Sequence, residues 1–177
     1  MSKVRLATAW LDGCSGCHMS FLDMDERLIE LSSEFDLVYS PLVDIKTFPD
    51  KVDITLVEGA ISSTDDVEKI HRIREHTRLL VAMGDCAVTG NVPAMRNPFG
   101  PDAVLRRAYF ENADLHRQTP FIVVPKLLEK VRPVHEFVQV DLYLPGCPPS
   151  ANTFHAVLTE LLANRMPDVA GLTRFGA

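Results

Sequence analysis

Val4-Arg5-Leu6-Ala7-Thr8-Ala9-Trp10-Leu11, followed directly by Asp12-Gly13-Cys14-Ser15-Gly16-Cys17, decides the fold. The first eight residues are mostly apolar and do not alternate, the pattern of a strand buried on both faces. The glycine- and cysteine-containing turn is followed by Phe21, Met24, Leu28 and Leu31 at helical spacing, with Asp23, Asp25, Glu26 and Glu30 between them. The spacing predicts one helix over 19–33, and a capping box of Ser20 with Asp23 places its start near Ser20. A buried strand, a turn and a helix form the opening unit of a parallel sheet covered on both sides.

Working outward, the same alternation recurs. Phe35 to Tyr39 reads as a second strand, and Asp53 to Val57 as a third that ends at Glu58-Gly59. Ser63 with Asp66 forms a capping box before Val67, Ile70, Ile73 and Thr77. Arg78 to Met83 is a fourth strand ending at Gly84-Asp85-Cys86, and Phe137 to Leu144 a fifth closed by Pro145-Gly146-Cys147. The last helix runs over about 152–165 on the face of Phe154, Val157, Leu158, Leu161 and Leu162, and Pro167 stops it. Five such strands predict an α/β flavodoxin-like, doubly wound parallel sheet. The length of 177 residues suits one domain over 1–177. The segment at about 87–136 breaks the pattern: Pro93, Pro98, Pro101, Pro120, Pro125 and Pro133 punctuate it. It reads as a functional or partner-covered excursion, against a solvated loop with a short helix near 103–109.

Composition narrows the function classes. A 46% hydrophobic share excludes intrinsic disorder, and a net charge of −6 argues against nucleic acid, whose phosphates recruit Lys and Arg. No apolar run reaches the roughly 18 residues of a membrane span. No twin-arginine pair or signal-like apolar region precedes the first strand, so the expected location is cytoplasmic. In such a reducing compartment the four cysteines read as ligands or redox groups rather than as disulfides.

Their placement is the most informative feature. Cys14 and Cys17 follow the first strand, Cys86 the fourth and Cys147 the fifth. Parallel strands end on one edge, where doubly wound folds bind their ligands, so the topology gathers all four thiols on one rim. An iron–sulfur cluster tolerates ligands from distant loops. Structural zinc more often uses two short-spaced pairs, and a lone redox pair would leave Cys86 and Cys147 idle. Gly13, Gly16, Gly84 and Gly146 flank the cysteines, and Pro148-Pro149 stiffen the last turn. These features rank iron–sulfur ahead of zinc and of buried structural thiols.

Trp10-Leu11-Asp12-Gly13-Cys14-Ser15-Gly16-Cys17, Val57-Glu58-Gly59, Gly84-Asp85-Cys86-Ala87 and Leu144-Pro145-Gly146-Cys147-Pro148-Pro149, in that order, resemble the small subunit of nickel–iron hydrogenases, in the cytoplasmic group that includes NAD-reducing enzymes. The match runs from Val4 to about Arg165. The resemblance implies that Cys14, Cys17, Cys86 and Cys147 hold one 4Fe–4S cluster beside a nickel–iron centre on a separate large subunit. It also implies iron–sulfur and flavin/NAD-binding diaphorase partners that take the electrons onward. Periplasmic members carry a twin-arginine signal, ligands for two further clusters and a longer tryptophan-to-cysteine loop, none of which this sequence shows.

The related complex I subunit, part of a quinone reductase, starts with two adjacent cysteines, whereas Ser15 and Gly16 separate them here. Glu58 matches a glutamate near the cluster with a possible proton-relay role; read by itself it is a carboxylate accepting loop amides. His18 and His135 read as hydrogen-bonding or interface residues. Asp12 and Asp85 add negative charge beside the cysteines and would lower a cluster's potential. An FMN phosphate at the first strand-to-helix turn would compete with Cys14 and Cys17 for space. A zinc-stabilised binding module is the alternative from outside redox chemistry.

Overall fold

The computed structural model describes residues 3–175. In chain order its elements are β1 (Val4–Trp10), α1 (Gly16–Leu22), α2 (Glu26–Leu31), β2 (Phe35–Tyr39), β3 (Val52–Glu58), β4 (Ile61–Ser63), α3 (Thr64–His76), β5 (Thr77–Met83), α4 (Gly84–Thr89), α5 (Gly100–Arg106), β6 (Leu127–Arg132), β7 (Leu142–Leu144) and α6 (Ala151–Leu162). Five strands form the main sheet in the order β2-β1-β3-β5-β7, and every pairing is parallel. Counted within that sheet, this is the 2-1-3-4-5 order of flavodoxin-like folds.

Successive strand residues face opposite sides, and both sides are covered. Leu6, Ile54, Leu56, Val81 and Met83 pack with Phe21, Met24, Phe154 and Leu158 of the α1, α2 and α6 side. Ala7, Ala9, Val57, Leu80 and Ala82 pack with Ile70 and Ile73 of α3. The absence of a polar face is why these strands read as continuous apolar runs. Truncating a buried core isoleucine such as Ile70 to alanine costs about 2–5 kcal/mol in sites of this kind. The predicted capping box of α3 is present: Asp66 N–H donates to Ser63 Oγ (3.2 Å) and Ser63 N–H to Asp66 Oδ2 (2.9 Å).

Three expectations are corrected. The helix expected over 19–33 is two helices, broken at Asp23–Asp25, where Asp25 takes φ 51°. Its start is not at a Ser20–Asp23 box: α1 begins at Gly16, and Ser20 Oγ instead donates to the Pro149 carbonyl at 2.6 Å. The fifth strand spans only Leu142–Leu144, because Pro133 leads into a 3-10 turn at Val134–Glu136. Phe137, Val138 and Val140 are spent on packing against the α3-side core rather than on pairing.

The excursion carries more order than its sequence suggests. A 3-10 turn at Pro93–Arg96 leads to α5 and a π-type turn at Arg107–Glu111, and β6 returns to pair antiparallel with β4. Arg96 ties it down by donating to the Ser62 and Leu128 carbonyls (3.1 and 2.8 Å), and Asn97 brackets Val131 through both its amide atoms. Phe121, Ile122 and Val123 stand out from it, at 72, 72 and 98% exposure, as an uncovered apolar surface.

Candidate functional site

The carboxyl edge of the sheet gathers the cysteines as the topology predicts. Cys14 lies in the loop after β1, Cys17 in the first turn of α1, Cys86 within α4 and Cys147 in the loop after β7. The Cys17 thiol lies in electrostatic range of Cys14, Cys86, Cys147 and Glu58 together. Cys17 is buried, Cys86 half-buried, and Cys14 and Cys147 exposed, so the site is anchored beneath and open above. No disulfide joins the four: each is a free thiol.

The loops are shaped around the sulfurs. Gly84 has φ +82°, and a Cβ placed on it would stand 2.2 Å from Cys17 Sγ, so only glycine leaves room for that sulfur. Asp85 clamps the β5 and β7 loops together: its N–H donates to the Gly146 carbonyl (2.9 Å), and its Oδ1 accepts the Gly146 N–H (2.7 Å). Asp85 therefore builds the site rather than only charging it. On the other side, Gly59 (φ +93°) lets β3's exit cross β1's exit, where a Cβ would lie 2.7 Å from the Asp12 carbonyl oxygen.

Glu58 ends β3 directly beneath Cys17 and is buried. Its Oε1 accepts the Cys17 N–H (3.3 Å) and its Oε2 the His18 N–H (3.0 Å), the amide-accepting role expected of it. Its Oε2 also bonds His18 Nδ1. These contacts explain the early start of α1, whose first amides are satisfied by a residue 40 positions away rather than by a local cap. From His18 a buried polar chain continues: Nε2 meets Thr8 Oγ1 (3.0 Å), which donates to Ser40 Oγ (2.9 Å), and Trp10 stacks on the imidazole. Thr8 in β1 and Ser40 just past β2 are lone hydroxyls beside apolar strands and carry no local signal in the sequence. His135, by contrast, packs edge-on against Tyr143.

Electrostatics make Cys17 and Cys86 poor free acids. Burial first, then the Glu58 carboxylate and the other three thiols, push the Cys17 thiol well above its ordinary value. Burial likewise raises Cys86, and the Val92 N–H bonded to it partly opposes the rise. Cys17 and Cys86, which resist ionising as free thiols, together with the soft donors Cys14 and Cys147, suit a group whose positive charge compensates thiolates. The gap that Gly84 leaves at Cys17 Sγ fits the same chemistry.

A fold of this order binds its ligands at the strand carboxyl ends, and the family model described as NADH ubiquinone oxidoreductase, 20 Kd subunit, matches residues 14–161. The chain is similar to the NAD-reducing hydrogenase HoxS subunit delta of Cupriavidus necator, 41% identical over 172 residues that cover 94% of this chain and 82% of that protein. It is 34% identical to an F420-non-reducing hydrogenase subunit of Methanocaldococcus jannaschii, across 93% of this chain but only 58% of that longer relative. A crystal structure of an NAD+-reducing NiFe-hydrogenase in the H2-reduced state contains a chain that matches with TM-score 0.93 and 42% identity, covering 98% of this chain and 99% of that one. A NiFeSe-hydrogenase of Dm. baculatum, at 18% identity and TM-score 0.63, shares the fold. The chain belongs to the 20 kDa NADH–ubiquinone oxidoreductase subunit family, as a hydrogenase subunit within it.

Proposed function

We propose that this chain is the electron-transfer small subunit of a cytoplasmic nickel–iron hydrogenase, with Cys14, Cys17, Cys86 and Cys147 as ligands of one 4Fe–4S cluster. The observation that carries the reading is the gathering of four free thiols on one sheet edge, with Gly84 leaving the gap that admits Cys17 Sγ. A bound cluster supplies one-electron redox chemistry. The chain's own residues do the rest. Asp85 locks the Cys86 and Cys147 loops together, and Glu58 fixes the turn that presents Cys17. Glu58 Oε2, bonded to His18 Nδ1, is in this proposal also the atom that holds and passes a proton beside the site.

In the proposed assembly, hydrogen is cleaved at a nickel–iron centre on a large subunit. Iron–sulfur and flavin/NAD-binding diaphorase subunits reduce NAD, and this chain conducts between the two. Two electrons and one proton pass to NAD+ for each H2, and the other proton is released. Similarity to the NAD-reducing hydrogenase of Cupriavidus necator supports this choice of acceptor. The exposed surface of Phe121, Ile122 and Val123 is offered as part of the face that partners cover. Among the described residues no helix is long and apolar enough to cross a membrane.

The other readings lack such support. Structural zinc more often uses two short-spaced cysteine pairs, whereas here only Cys14 and Cys17 are closely spaced. An FMN phosphate at the first turn would need the amides that Glu58 already occupies. The quinone-reductase reading draws on the breadth of the family and is separated by activity: quinone reduction without hydrogen uptake in the intact complex would select it.

The deciding experiment is metal and acid-labile sulfide analysis of the anaerobically isolated complex. The wild-type complex is expected to exceed the Cys147→Ser complex by about four irons and four sulfides per copy of this chain. Stoichiometric zinc without sulfide at these cysteines overturns the proposal.

A further inference from the structure

The turn that leaves α4 points two N–H groups at two different cysteines. Gly90 closes α4 in the left-handed conformation (φ +86°), its N–H donating to the Cys86 carbonyl at 2.9 Å. Asn91 follows at φ +30°, a region that asparagine and glycine tolerate and most residues avoid. This backbone bend turns the Asn91 side chain toward the β7 loop, where its Nδ2–H donates to Cys147 Sγ at 3.5 Å. The next residue, Val92, gives its backbone N–H to Cys86. Two consecutive residues thus serve sulfurs from two different strand ends.

We propose that Asn91 is a potential-setting residue: its side-chain N–H, delivered by the Gly90-Asn91-Val92 turn, withdraws charge from the Cys147 sulfur and favours the reduced state of the group held there. The inference rests on the four-cysteine reading above. Hydrogen bonds to ligand sulfur stabilise the added negative charge of the reduced state more than the oxidised one, and so raise the potential. The Val92 bond comes from the backbone and is fixed by the fold, whereas the Asn91 bond depends on the side chain and can be removed by substitution. The Glu58 carboxylate, which bears on Cys17 and Cys86, acts in the opposite sense through charge, and Asn91 offsets it from the Cys147 side.

The test is an EPR-monitored redox titration of the intact hydrogenase complex carrying Asn91→Gly or Asn91→Asp, with iron and sulfide assayed on the same samples. Glycine keeps the positive φ and removes the donor. Aspartate keeps the shape, removes the N–H and adds negative charge. The reduced-to-oxidised ratio at a fixed potential should fall about three- to tenfold in Asn91→Gly, a downward shift of up to about 59 mV for a one-electron couple. Asn91→Asp should shift further in the same direction.

A fully loaded Asn91→Gly complex with the wild-type potential overturns the proposal. A second measurement needs no variant. Wild-type complex grown with asparagine isotopically labelled in its side-chain amide nitrogen should show a weak coupling of that nitrogen to the reduced site, and its absence counts against Asn91 even if the variants load poorly. Failure of the four-cysteine reading looks different, since the wild-type complex would then lack iron and sulfide at this site.

Discussion

Gly84 and Cys17 are fitted to one another: the position a Gly84 Cβ would occupy lies 2.2 Å from Cys17 Sγ, at the junction of β5 and α4. Gly84→Ala should therefore displace the sulfur or the loop and strip the site. The expected cost is about 2–5 kcal/mol, from overpacking together with a side chain forced into the left-handed region. Gly100→Ala is the matched comparison, because Gly100 has a similar φ of +77° with nothing near its missing Cβ. It should cost only the backbone share, about 1–2 kcal/mol, and leave iron content intact. Denaturant midpoints and iron assays on both variants check this, and equal losses would remove the steric role of Gly84.

Glu58 accepts a backbone amide on each of its two carboxyl oxygens and shares a further hydrogen bond with the His18 ring. In Glu58→Gln one terminal atom becomes an NH2 group, which faces a donor instead of accepting from it. Unfolding free energy should fall by about 2–4 kcal/mol, because a buried amide of α1 loses a charge-assisted acceptor. Metal content should fall with it. If Glu58 serves proton movement alone, Glu58→Gln will load and unfold like wild type while proton-coupled turnover drops. Chemical denaturation and metal assay of the same preparation separate the two outcomes.

Much of the fold was legible because the signals were local. The strand-turn-helix order, the Ser63–Asp66 cap and the rim position of all four cysteines follow from period and topology. The failures share one cause, which is long-range contact. The start of α1 is set by Glu58 from another strand, and the break at Asp25 lies between two stretches of one apolar stripe. The apolar run from Phe137 looks like strand because burial and pairing leave the same imprint on a short sequence. β6, reading Leu127-Leu128-Glu129-Lys130-Val131-Arg132, has no period-two pattern: it pairs with the short, buried β4, and Glu129, Lys130 and Arg132 are exposed. Asn91 carried a hint, because Gly-Asn after a helix marks a turn. The target of its side chain lay beyond what spacing can tell.

The α3 cap is expected to matter for stability and not for the site. Asp66 Oδ2 accepts from the N–H and hydroxyl groups of both Ser62 and Ser63. Asp66→Ala should cost about 1–2 kcal/mol, the usual range for losing an N-terminal cap. Because α3 lies on the sheet face away from α1, iron content should not change. Loss of iron in a variant that still unfolds cooperatively would show that α3 reaches the site through contacts other than the core.

The raised Cys17 thiol predicts an alkaline weakness in the cluster-free chain. Below about 9, the ordinary thiol value, folded and unfolded states both keep the proton, and the contribution of Cys17 to stability is fully present. Above it the unfolded chain releases the proton, while the folded one, held up by burial and by the Glu58 carboxylate, does not. Stability then drains away as pH rises toward the folded value, at up to about 1.4 kcal/mol per pH unit. Urea midpoints between about pH 8 and 11 should fall more steeply for the wild-type chain than for Cys17→Ala, which has no proton to release. Alkylation provides a second reading: exposed Cys14 and Cys147 should react well before buried Cys17. Parallel pH slopes for the two chains would mean that the Cys17 thiol ionises freely in the fold, and that Glu58 and the neighbouring thiols do not bear on it.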